Sequence, residues 1–150
     1  MCAGAKAVLD LRKTVEVLES HGVPVFGWHT DQFPAFYRRE SGLPVDARFD
    51  SMEAMAEAVR AHFSLGLGTG VVIANPIPAE HELAREVYEP ALATALREAD
   101  EAEVRGREVT PFLLERMRQL TEGSSVFSNV ALLENNARLS AELAGALAAR

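Results

Sequence analysis

A lysine attacks a carbonyl carbon only as the neutral amine, and burial or a neighbouring cation lowers its pKa enough to allow this. Lys6 stands at the end of Ala3-Gly4-Ala5-Lys6, where the small residues bring it into a tight backbone environment. It falls between a strand end and a helix start, where the active sites of α/β proteins gather. Its plainer reading is a surface lysine near a chain end. His29-Thr30-Asp31 follows a predicted strand, so its histidine and aspartate are candidates for acid–base work or metal binding. Two ligands do not make a metal site, and ordinary loop polarity explains them as well. Gly66-Leu67-Gly68-Thr69-Gly70 has the composition of a phosphate cradle. It lacks the lysine and hydroxyl residue of a P-loop and precedes a strand rather than a helix, so it reads as a helix stop and tight turn. Asn129, Asn135 and Asn136 cluster about the start of the last predicted helix. Asn129 there is a cap or a residue reaching a ligand, and capping is the simpler role. His21 and His62 read as exposed helix residues, and His81 is given no role.

The elements that must position these residues follow from composition and pattern. The chain has 150 residues, 48% hydrophobic and 25% charged, which suits one ordered globular domain. A single cysteine, Cys2, excludes a disulfide framework and points to a reducing, cytoplasmic setting. The net charge of −7 argues against a nucleic-acid partner. No apolar run reaches the ~20 residues that span a bilayer, and no signal peptide opens the chain.

Val8, Leu11, Val15 and Leu18 predict a helix over 7–21, stopped by Gly22. A buried strand is predicted over 23–28, then an irregular segment over 31–43 pinned by Phe33, Phe36 and Tyr37, then a short, edge-like strand over 45–49. Asp50 and Glu53 suggest a capping box with Asp50 as the cap. The helix it opens carries Met52, Met55, Ala56, Val59 and Phe63 on one face. Val71 to Ala74 is continuously apolar, as in a parallel strand covered on both faces. A helix over 80–103 is expected to break near Pro90. Thr110-Pro111 opens another, with Thr110 as cap. The last covers 128–149, with Val130, Leu133, Ala137, Leu143 and Leu147 as its apolar marks. The whole predicts an α/β/α layered fold with a mostly parallel sheet, short of strands on one side. Residues 1–150 form a single portion with no linker.

Several segments in order carry a resemblance: Cys2-Ala-Gly-Ala-Lys6, Gly22-Val-Pro-Val25, Phe33-Pro-Ala-Phe36, Val72-Ile-Ala-Asn-Pro-Ile-Pro78, Thr110-Pro-Phe-Leu-Leu114, and Ser128-Asn-Val-Ala-Leu132 through Asn135-Asn136-Ala137. Over essentially all 150 residues this series resembles the C-terminal half of the pseudouridine-5′-phosphate glycosidase family, also called indigoidine synthase A-like. The resemblance implies reversible cleavage of the C–C glycosidic bond of pseudouridine 5′-phosphate to uracil and ribose 5-phosphate. The ring-opened sugar is then held as a lysine imine. It implies Lys6 as the imine-forming residue, Asn129 in the substrate pocket, and Asn75 and Thr30 near it. It also implies a homotrimer when full length. A manganese ion, a general-acid glutamate and a further lysine belong to the half that this chain lacks, so no metal ligand is assigned here. Trp28 and His29 depart from the family's pattern, and Met1 replaces an apolar strand residue. A mis-called start or a genuine truncation accounts for the missing half. The alternatives are a non-catalytic remnant serving as an interaction or oligomerisation piece, and another sugar-phosphate enzyme using a lysine imine.

Overall fold

The computed structural model describes residues 1–5 and 10–149. Lys6, the first candidate, lies outside them, as does the first turn of the helix predicted from residue 7. That helix is described as α1 (Leu11–Ser20), opened by Asp10, whose carboxylate accepts the Lys13 N–H at 3.1 Å. Then follow β1 (Val25–Trp28), β2 (Ala47–Phe49), α2 (Met52–Ser64), β3 (Val72–Ala74), α3 (Arg85–Glu101), α4 (Val109–Leu120) and α5 (Ser124–Ala148). The strands run parallel in the order β2-β1-β3. Beyond β3 the chain's first residues add to the sheet. Cys2 N–H donates to the Ile73 carbonyl at 2.9 Å, and Asn75 N–H donates to the Cys2 carbonyl at 2.8 Å.

Successive side chains of a strand point to opposite faces, and this sheet is covered on both. Val25, Val72 and Ala74 pack against Leu11, Val15 and Leu18 of α1. Phe26, Trp28, Ile73 and Phe49 pack against Met52, Met55, Ala56 and Val59 of α2 and Leu143 and Leu147 near the end of α5. A third cluster joins α3, α4 and the start of α5 around Tyr88, Ala95, Leu113, Met117 and Leu132, and reaches Ala3, Phe36, Tyr37 and Ile77. The expected α/β/α layering and parallel sheet are therefore present.

Four local expectations are corrected. The cap of α2 is Ser51, which accepts the Ala54 N–H, not Asp50. The Asp50 carboxylate is already engaged by His29 and Arg48. Pro90 lies inside α3 without breaking it. It removes one backbone bond near the helix start, while buried Tyr88, Ala91, Ala95 and Ala99 hold the helix on either side. In α4 Thr110 is already helical and Glu108 takes the cap position. The last helix begins at Ser124 rather than Ser128, so Asn129 is an interior residue, not a cap.

Those shifts move the apolar faces. Phe63, expected inside, is 59% exposed. On α5 the buried row is Ser125, Ser128, Leu132, Leu139 and Leu143, while Val130 and Leu133 face outward. With Val126 and Phe127, itself 75% exposed, they form an apolar ridge of the kind that drives association. The expected result is a concentration-dependent oligomer in sedimentation that Phe127→Glu with Leu133→Glu converts to monomer. Unchanged sedimentation would show that the ridge does not mediate association.

Candidate active site at the strand ends

In parallel sheets ligands gather outside the carboxyl ends of the strands. At that rim β1 delivers His29, β3 delivers Asn75, and the segment beside β3 delivers Ala3 and Gly4. The irregular segment after β1 folds back over the rim, where Phe33 and Tyr37 are each 2% exposed. Phe36 N–H donates to the Ala3 carbonyl at 3.0 Å. Two non-glycine residues of this segment, His29 at φ 52° and Phe36 at φ 63°, hold left-handed backbone. Such conformations persist only where the surroundings over-determine them, and they concentrate at working sites. Gly4 is required by space as well as by its φ of 89°: a Cβ there would overlap the Pro34 carbonyl. The small-residue environment expected before Lys6 is thus a real close approach.

Asn75 is 3% exposed and sits beneath α5. Its Nδ2 donates to Asn136 Oδ1 at 3.0 Å, and its Oδ1 accepts Asn135 Nδ2 at 3.3 Å. Arg138 donates in turn to Asn135 Oδ1 at 2.8 Å. Asn129 is seven residues from Asn136, hence on the same face of α5 and half-buried. Pairing with Asn75 gives Asn135 and Asn136 a partner, a role their position in sequence did not suggest.

Two clefts open at the rim. The larger, of about 530 Å³, is bounded by Trp28, His29, Arg39, Asn75, Asn135 and Arg138, among others. The smaller, of about 170 Å³, is bounded by Thr30, Asp31, Gln32 and Arg48 and shares His29, Arg39 and Pro76 with the first. Asn75 and Thr30 therefore come to adjoining clefts, whereas Asn129 borders neither. The Thr30 hydroxyl is engaged locally, donating to the Gln32 carbonyl and accepting the Gln32 N–H. His29 Nδ1 lies 2.8 Å from Asp50, and the His29 ring packs on Trp28 at a centroid distance of 4.2 Å. The His29 hydrogen bond, with Arg48 beside it, holds the Asp50 carboxyl below its ordinary pKa. Arg39 stands between the clefts, its guanidinium donating to the Ile77 carbonyl at 2.5 Å. The Arg38-Arg39 pair was the available sequence sign of it. Among the described residues no group of three or more His, Cys, Asp or Glu side chains is arranged to hold a metal.

The profile of the family described as "Indigoidine synthase A like protein" matches residues 1–146. The chain belongs to the indigoidine synthase A-like family. It is 51% identical over 144 residues to a pseudouridine-5′-phosphate glycosidase of Caldanaerobacter subterraneus subsp. tengcongensis, covering 96% of this chain and 47% of that protein. It is 50% identical to a pseudouridine-5′-phosphate glycosidase of Geobacillus kaustophilus, covering 96% of this chain and 48% of that protein. An indigoidine synthase A-like protein of Thermotoga maritima superposes with a TM-score of 0.83 at 36% identity, covering 95% of this chain and 47% of its own. The prealnumycin C-glycosynthase AlnA, solved in complex with ribulose 5-phosphate, superposes with a TM-score of 0.87 at 34% identity, covering 97% of this chain and 48% of its own. The chain thus spans about half the length of the curated relatives it matches. Among the described residues no helix is long and apolar enough to cross a membrane.

Proposed function

We propose that this chain is the half of a pseudouridine-5′-phosphate glycosidase that carries the imine-forming lysine. The supporting observation is the family match over residues 1–146, which includes the Ala-Gly-Ala-Lys segment ending at Lys6. In this reading the neutral Lys6 amine bonds to C1 of the ribose as the C1–O4 bond breaks, and the ring oxygen keeps that electron pair and takes up a proton, which opens the ring. When the C1–C5 bond to uracil breaks, its electron pair stays with the uracil ring, which takes up a proton. The lysine nitrogen lone pair fills the deficit at C1 and leaves an imine. Water then releases ribose 5-phosphate and restores the amine. Asn129 belongs to the substrate pocket, with Asn75 and Thr30 around it.

In this reading manganese and the general acid belong to the half that this chain does not span. The complete protein is a cytoplasmic homotrimer acting on small sugar phosphates, with neither nucleic acid nor membrane as partner. The test joins this chain to the complementary half of the Geobacillus relative and follows uracil release from pseudouridine 5′-phosphate. Turnover supports the enzyme. A folded, trimeric fusion without turnover favours a remnant that serves only in association, a reading to which the exposed ridge on α5 lends weight.

A further inference from the structure

We infer that Asn75 is a positioning residue for Lys6, fixing the strand that feeds the lysine against the helix that carries Asn129. This rests on the imine reading above. Asn75 and Ile73, on either side of Ala74, grip that segment through both backbone groups of Cys2, at 2.8 and 2.9 Å, four residues before Lys6. The Asn75 side chain meanwhile ties β3 to α5, and its direction is determined. Arg138 can only donate, so Asn135 presents its oxygen to Arg138 and turns its amide nitrogen to Asn75. Asn75 must then present oxygen to Asn135 and nitrogen to Asn136. The chain of donors runs one way, from Arg138 through Asn135 and Asn75 to Asn136. Its end lies two helical turns from Asn129 on the same face. Asn75 therefore joins the Cys2 segment to α5, through its backbone N–H on one side and its side-chain amide on the other.

The readout is available within the chain itself. It contains two lysines, Lys6 and Lys13. Lys13 lies on the exposed side of α1 and serves as an internal reference. This chain, joined to the complementary half of the Geobacillus relative, is incubated with ribose 5-phosphate and borohydride, and peptide masses give the ratio of capture at Lys6 to capture at Lys13. The wild type favours Lys6. Asn75→Leu and Asn136→Leu lower the ratio about tenfold or more, since a displacement near 1 Å costs up to about a hundredfold. The double variant is no worse than either single change, because both cut the same tie. Asn136→Asp keeps the acceptor for Asn75 Nδ2 and retains the wild-type ratio. Asn136 is only half-buried, so its variants keep the fold, which circular dichroism checks. A merely structural role would lower melting temperature and leave the ratio unchanged. A wild-type ratio near one removes both the imine reading and this inference. A wild-type preference that survives in folded Asn136→Leu removes the inference and leaves the imine reading standing.

Discussion

Lys6→Ala, in this chain joined to the complementary half of a relative, is expected to lower turnover of pseudouridine 5′-phosphate by roughly 10⁴-fold or more, the scale on which loss of a covalent nucleophile is felt. Borohydride capture of ribose 5-phosphate at position 6 should vanish with it. Lys6→Arg should not restore either, because guanidinium stays protonated and cannot add to a carbonyl. An unchanged melting temperature would assign the loss to chemistry rather than to folding. Full turnover by Lys6→Ala, in protein free of wild-type carry-over, would overturn the proposed mechanism.

Gly4→Ala is expected to be the most damaging single methyl in the described part of the strand ends. The added Cβ overlaps the Pro34 carbonyl, a backbone atom that cannot swing aside, and the residue holds φ 89°. Left-handed strain and overpacking each contribute roughly 1–3 kcal/mol. Their sum is a large share of the ~5–15 kcal/mol by which a domain of this kind is stable. Gly22→Ala is the control: its φ of 64° is also left-handed, but nothing lies within 4 Å of the new Cβ. Urea unfolding should place Gly4→Ala well below Gly22→Ala. Equal midpoints would show that the loop over Pro34 yields freely.

Where pattern governs, the chain was readable. The strand pair Val25–Trp28 and Val72–Ala74, the helix with Met55, Ala56 and Val59 inside, and the parallel layering all follow from periodicity and uninterrupted apolar runs. What escaped depends on partners distant in sequence. Ser51 caps because Asp50 is drawn to His29, 21 residues away, and to Arg48. The rotation of α5 was misjudged because its early turns bury serines: Ser125 is 1% exposed and Ser128 donates to the His81 carbonyl at 2.7 Å. A row of serines carries no hydrophobic signal. At the site, Asn75 was legible through its segment, but Asn135 and Asn136 acquire meaning only when β3 lies beneath them. Arg39, whose sequence sign was only the Arg38-Arg39 pair, takes its place between the two clefts because the segment after β1 folds back over the rim.

The pairing of Cys2 with Ile73 and Asn75 also bears on the order of assembly. The residues leading to Lys6 precede their partner strand by about seventy residues, and the asparagines of α5 come sixty residues after that. Closing loops of this length is entropically costly and slow compared with forming helices or the β1–β2 contact. The lysine segment therefore docks late, after the sheet it joins exists. Under native conditions the Cys2 amide should exchange its hydrogen faster than those of β1 at the centre of the sheet, because the last contact made is the first to open.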